Sequence, residues 1–108
     1  MKKYITLLLL FVVSFLYAQY NANMKGVVTD VLIYSDSNLV LFRLDNQPST
    51  HPLCAVDYFS IGVDIPYDRV KSLISRLLMA KATKERINIG YDAVGDCSQN
   101  RIRVHRVG

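Results

Sequence analysis

The stretch Asp64-Ile65-Pro66-Tyr67-Asp68-Arg69-Val70-Lys71-Ser72-Leu73-Ile74-Ser75-Arg76-Leu77-Leu78-Met79-Ala80-Lys81-Ala82 decides the fold class. Asp64 stands where a helix cap is expected, Pro66 suits the first turn, and Asp68 lies near the positive end of the helix dipole. Val70, Leu73, Ile74, Leu77 and Leu78 then follow the i, i+3, i+4, i+7, i+8 spacing of one helical face. Arg69, Lys71, Ser72, Ser75 and Arg76 fall elsewhere on the wheel. One amphipathic helix, ending near Ala82, must therefore pack its single apolar stripe on something else.

That partner is β-structure on both sides. Upstream, Lys25 to Tyr34 is rich in β-branched residues and forms a first strand, with Val27, Thr29, Val31 and Ile33 expected on one face. Ser35-Asp36-Ser37-Asn38 is a cluster of turn formers, and Leu39 to Leu44 resumes the apolar run, so the pair reads as a hairpin with a four-residue loop. Asp45 to Pro52 reads as an irregular loop, and Leu53 to Ile61 as the third strand, with Cys54 at its start. Downstream, Arg86 to Tyr91 alternates with Ile87 and Ile89 inward, Asp92 to Asn100 is a loop, and Arg101 to Val107 carries Ile102 and Val104 on one face. The fold class is mainly β with one helix (α+β), in the order strand-strand-strand-helix-strand-strand. That is the order of an OB-like five-stranded barrel. An open antiparallel sandwich uses the same elements, and periodicity leaves both architectures open.

The start of the chain reads as a signal peptide over residues 1–18. Lys2 and Lys3 are followed by an apolar run from Ile5 to Leu16 and by Tyr17-Ala18-Gln19, with cleavage expected after Ala18 and Ala22 as the second choice. The run is shorter than a spanning helix requires, and no cysteine near the cut offers a lipid attachment point. Residues 19–24 are polar and read as a flexible N-terminal arm before a single domain over 25–108. The leader takes two of the thirteen basic residues with it, leaving eleven against nine acidic ones. So small an excess argues against a nucleic-acid partner, as does export. The basic residues are local instead: Arg101, Arg103, His105 and Arg106 follow Cys97 with no acidic residue between them, as a charge-protected sheet edge would.

A domain of about ninety residues is small for one core and gains from a staple. In a periplasmic or secreted setting, the even count and wide spacing of the cysteines point to a Cys54–Cys97 disulfide. His51 and Cys54 with Cys97 and His105 supply the ligand types of a structural zinc site, but not its tight spacings, and export favours oxidation over thiolate ligation. No metal and no cofactor is expected. The chain lacks the Gly-x-Ser-x-Gly elbow, the His-Glu-x-x-His helix and the Gly-rich phosphate loops, so no catalytic residues are assigned and an enzyme is not expected. The candidates for recognition are tyrosines, whose flat apolar face and hydroxyl suit sugar stacking or protein contact. Tyr34 and Tyr91, which close strands beside loops, are the expected ligand-binding residues.

Cys54-Ala55-Val56, Asp64-x-Pro66, Leu77-Leu78-x-Ala80-Lys81-Ala82 and Arg86-Ile87-Asn88-Ile89 carry a resemblance. The chain resembles small secreted bacterial OB-fold proteins of mostly unassigned function, and looks like the binding (B) subunits of subtilase-type and pertussis-like toxins, from about Gly26 onward. The resemblance implies a glycan-recognising module and a pentameric homo-oligomer. Those subunits carry further cysteines, one on the second strand, where this chain has none. Their sugar-contacting residues have no match by position, so none is carried over. The expectation is an exported, non-enzymatic binding module. The alternative is a structural or inhibitory protein that binds another protein through its basic C-terminal edge.

Overall fold

The computed structural model describes residues 20–108; the expected leader, residues 1–18, lies outside the described residues, as does Gln19. Strands β1 (Ala22–Ile33), β2 (Val40–Leu44) and β3 (Ala55–Ile61) precede the helix α1 (Tyr67–Thr83), and β4 (Arg86–Tyr91), β5 (Cys97–Ser98) and β6 (Arg101–Val107) follow it. β1 pairs antiparallel with β4 through its first half and with β2 through its second. β2 pairs with β3, β4 pairs with β6, and a parallel pairing of β3 with β6 closes the circuit. The cycle β1-β2-β3-β6-β4 is a closed five-stranded, OB-like barrel, to which the two-residue β5 adds a short extra strand on β6. The closing pair excludes the open sandwich.

β1 differs from its sequence reading in two ways. It starts earlier: Ala22, Asn23 and Met24 pair with Tyr91, Gly90 and Ile89, so the segment expected to be a flexible arm is already strand by Ala22. Asn21 extends the tie, its amide donating to the Tyr91 carbonyl and its Oδ1 accepting from the Ala93 amide. Polar Asn-rich sequence has low strand propensity, but β4 needs a partner along its whole length and this segment supplies it. The strand also changes face. Val28 is in the core and Met24 packs against it, whereas beyond a register shift between Val28 and Asp30 it is Val31 that packs inward. A bulge at Thr29 therefore replaces the uninterrupted Val27-to-Ile33 face, since one extra residue inverts the alternation.

The barrel interior is filled by Phe42, Phe59, Leu44, Ile61, Ile87, Ile89 and Ile102, with the two phenylalanine rings 5.4 Å apart. α1 closes the interior with Val70, Leu77 and Ala80, while Leu73 and Ile74 are half-buried and Leu78 sits exposed at the margin of the expected stripe. Asp64 does not cap this helix. Pro66 occupies the N-cap position without a side-chain bond, its carbonyl accepting from the amides of Arg69 and Val70, and Asp64 is drawn instead to Arg103. At the other end Lys84 adopts the left-handed conformation, φ 59°, that a helix C-terminus usually gives to glycine. Just beyond it, Glu85 holds Arg76 at 2.7 Å.

Cys54 and Cys97 form the expected disulfide, with Cα atoms 5.6 Å apart and 43 residues between them in sequence. The loop from Asp92 to Asn100 is more ordered than its composition suggests. β5 returns onto β6 through Gln99 and Asn100, both at positive φ (50° and 68°), as a two-residue mirror-image hairpin turn requires. Among the described residues no helix is long and apolar enough to cross a membrane.

Opening the disulfide by reduction, or by Cys97→Ser, is expected to cost about 4 kcal/mol by loop entropy and to lower the Tm clearly in a calorimetric scan. An unchanged Tm would refute a structural role for the bridge. Lys84→Gly should act in the opposite direction, stabilising the domain by about 1 kcal/mol in urea titrations through relief of the left-handed strain.

Candidate functional site

The charges of β6 do not form a free basic edge. β6 is flanked on both sides, and its basic residues are engaged one by one. Arg101 binds Asp57 through two bonds of 3.0 and 3.1 Å, and Arg103 bridges Asp64 at 3.0 Å and Asp96 at 3.3 Å. His105 Nε2 hydrogen-bonds Asp96, and Arg106 donates to the side-chain oxygens of Asn23 and Asn88. The acidic partners come from β3, the β3–α1 connection and the β4–β5 loop, which reading β6 alone does not reveal. Gly62 makes one of these pairs possible, because a Cβ there would collide with the Arg103 guanidinium and the Asp64 carboxylate.

Across the outer wall of β2 and β3, the strand pairing brings Leu32, Leu41, Ser60 and Arg103 into one row. Leu41 is only 1% exposed although it faces away from the core, so side chains of this outer face cover it. Next to it β3 is bulged. Val56 and Phe59 both pack inward with two residues between them, and the pairing with β6 slips between Ala55 and Phe59. The extra residue leaves Asp57 and Tyr58 both outside, where they meet Arg101: Asp57 through its carboxylate, Tyr58 through its ring, 5.9 Å from the guanidinium. Arg43 adds a bond to the Asp57 carbonyl at 2.8 Å.

Two clefts flank α1. The larger, about 640 Å³, is lined by Asp64, Ile65, Pro66, Asp68, Arg69, Ser72, Leu73 and His105. Its Asp64, Ser72 and His105 are already bonded to Arg103, the Asp68 carbonyl and Asp96. The second, about 470 Å³, lies between the β1–β2 loop and the helix, with Tyr34 on one wall, Tyr67 and Lys71 on the other, and Ile33, Val40, Val70 and Ile74 below. Tyr34 is 42% and Tyr67 65% exposed, and the Lys71 ammonium lies 5.4 Å from the Tyr67 ring centre. Ser35, Asp36, Ser37 and Asn38 form the rim, in a four-residue loop closed by the Tyr34 amide bonding the Leu39 carbonyl. Exposed tyrosines beside short polar side chains are the composition of adaptable recognition loops, and the volume lies within the range of small-ligand sites.

The structure separates the two tyrosines expected to bind ligand. Tyr34 follows the last residue of β1, whereas Tyr91 pairs with its first, Ala22, at the opposite end of the strand. Tyr91 is half-buried and packs against the core, its ring 6.0 Å from Phe59. Tyr67 is one of the five tyrosines after the expected leader, with Tyr20, Tyr34, Tyr58 and Tyr91, but sequence gives no reason to prefer it, since its place directly after Pro66 makes it part of a helix signal. The zinc-type ligand set does not assemble. The thiols are consumed by the bridge, and His51 is used in the loop, its Nδ1 accepting from the Leu53 and Cys54 amides and its Nε2 donating to the Asp92 carbonyl.

Three carboxylates are held below the usual range. Arg101 hydrogen-bonds Asp57 and lowers its pKa, Arg103 does the same for Asp64, and the amides of Val94 and Gly95 lower that of Asp92. Comparison with known proteins finds no matching family model, no similar curated protein and no similar solved structure.

A depressed folded-state pKa contributes stability that is present above the unfolded value, 3.8 for these groups, and lost as pH falls through the folded one. Stability should therefore decline below about pH 4. In an NMR titration Asp57 should return toward the ordinary aspartate value in Arg101→Met. An Asp57 pKa unaffected by that change would remove the ion pair from the account of this face.

Proposed function

We propose that the protein is an exported, non-enzymatic binding module, periplasmic or secreted, whose ligand sits in the cleft between Tyr34 and Tyr67. The observation that carries this reading is the pair of exposed tyrosine rings on opposite walls of a 470 Å³ cleft rimmed by Ser35, Asp36, Ser37 and Asn38. Rings of this kind stack on the apolar face of a sugar, while the short polar side chains hydrogen-bond its hydroxyls, so a glycan is the favoured ligand class. The disulfide is compatible with an oxidising compartment. The resemblance of its short sequence motifs to toxin binding subunits implies the same role and a homo-oligomeric, ring-like assembly.

A second reading is a structural or inhibitory protein that binds another protein. What favours it is the exposed apolar run Leu32-Ile33-Tyr34, of which Ile33 and Tyr34 line the cleft, with Leu78 further along α1. It no longer draws on a basic C-terminal edge, because those residues are paired within the domain.

Glycan-array binding is expected to fall at least tenfold in Tyr34→Ala and Tyr67→Ala with the Tm unchanged. Tyr91→Ala should instead destabilise the domain by roughly 2–3 kcal/mol through loss of packing. Blank arrays together with a defined protein complex sensitive to Tyr34 would favour the second reading. Binding indifferent to both Tyr34 and Tyr67 would exclude the cleft.

A further inference from the structure

Arg106 is held by groups that fix its position and leave its charge. Its Nη2 donates to Asn23 Oδ1 at 2.8 Å and to Asn88 Oδ1 at 2.9 Å, and the guanidinium lies 5.7 Å from the centre of the Tyr20 ring. All three partners are neutral, and among the described residues no carboxylate pairs with it. A guanidinium only donates, so both amides turn their oxygens toward it. Their Nδ2 groups then have no partner among the described residues. That of Asn88 reaches solvent, because no buried side-chain nitrogen of these residues goes unbonded.

Strand register extends this point into a face. Asn23, Gly90 and Arg106 form one row across β1, β4 and β6, Lys25 and Asn88 the next, and Val27 and Arg86 the third. Met24, Ile87 and Ile89 pack into the core, so the alternate residues Asn23, Lys25, Arg86 and Asn88 lie on the outer side of the barrel wall. Lys25 and Arg86 are exposed, and neither forms an ion pair among the described residues. Two carboxylates adjoin the wall: Glu85 is neutralised by Arg76, and Asp45 accepts from the Val27 amide. Three cations thus stand against one carboxylate, and each polar side chain of the wall presents hydrogen-bond donors.

The rest of the wall narrows the partner. No large apolar side chain is exposed on it, so it offers neither an anchor for a protein interface nor a wedge for a bilayer. The Tyr20 ring is already engaged: it lies over Gly90, where any Cβ would strike it, and stacks on His105 with ring centres 5.7 Å apart. It is no open platform for nucleic-acid bases. Neither cleft beside α1 includes a residue of this wall.

We propose that the outer wall of β1, β4 and β6 binds an acidic polysaccharide, its carboxylate or sulfate groups held by Lys25, Arg86, Arg106 and the two asparagine amides. The cations are spread over three strands, which suits a polymer with repeated anionic groups. A single small anion would reach only part of the set. The wall lies on the half of β1 away from Tyr34, and its binding does not depend on the tyrosine cleft.

The protein, expressed from the full sequence, is titrated with dextran sulfate and with polygalacturonate, using uncharged dextran as the blank. At least one acidic polymer should bind, more weakly as salt is raised, and the choice between them tells sulfate from carboxylate. Lys25→Gln and Arg86→Gln should each weaken binding about fivefold, the upper range for one surface ion pair, with the Tm unchanged. Asn88→Asp gives Arg106 a carboxylate partner without removing the cation, and should weaken binding similarly while the Tm holds or rises. Tyr34→Ala and Tyr67→Ala should leave polymer binding intact, whatever they do to glycan binding in the cleft. Binding to neither polymer, or binding that survives Lys25→Gln, Arg86→Gln and Asn88→Asp combined, overturns the proposal. So does loss of binding in Tyr34→Ala, which would move the polymer into the cleft. Tighter binding to single-stranded DNA or to phosphatidylglycerol vesicles than to either polymer overturns the choice of partner.

Discussion

The barrel depends on one seam, the parallel pairing of β3 with β6. Each of the other contacts in the circuit joins antiparallel strands. The seam is short and bulged, its partners running Ala55 with Arg101 and then, after a slip, Phe59 with Ile102 and Ser60 with Arg103. Three features reinforce it. Phe59 and Ile102 are both fully buried behind it, the Ala55 amide bonds the Asn100 carbonyl at 2.8 Å, and Arg101 crosses it to Asp57. The disulfide completes the set. Cys54 immediately precedes β3 and Cys97 lies on β5, so the bridge spans the beginning of β6 and fastens together the strands on its two sides. A parallel pair cannot be closed by a tight turn, and in this domain a covalent link does that local work.

The same seam explains where recognition chemistry is absent. A chain with a basic C-terminal strand looks equipped for an anionic partner, yet closing the barrel brings Asp57, Asp64 and Asp96 against Arg101, Arg103 and His105. The proposed site lies away from the seam, at the junction of the β1–β2 loop with the helix. There the tyrosines and the polar loop are exposed, and neither Tyr34 nor Tyr67 is a member of the buried core. The proposed site and the closure of the barrel therefore draw on different residues.

The helix, the hairpin with its four-residue loop, β4 and β6 were legible because each is a local pattern: a 3.6-residue stripe, a cluster of turn formers, or a strict alternation. The disulfide was legible from the expected compartment and the cysteine count. What the pattern could not show was set by distant partners. Ala22 to Met24 become strand because β4 needs an edge covered, and the bulge at Thr29 turns Val31 inward because β1 must leave one neighbour for another. Asp64 abandons the helix start for Arg103, 39 residues away. In the candidate site, Tyr34 was legible from its place beside a loop. Tyr91 was chosen for the same reason and packs against the core, since lying near a loop does not distinguish a ring aimed outward from one beside Phe59. Tyr67 reads in one dimension as an ordinary helical residue, and only the return of the hairpin beside α1 gives it a partner across a cleft.

The disulfide divides the chain into a covalent ring and two tails. The ring, residues 54–97, contains β3, α1 and β4, whereas the β1–β2 hairpin lies wholly outside it. The cleft is thus built from both parts, Tyr67 and Lys71 on the ring and Tyr34 with its loop on the tail. The disulfide does not tie these two walls together. The covalent staple therefore reinforces the seam and one wall of the cleft, while the other wall is held by strand pairing alone.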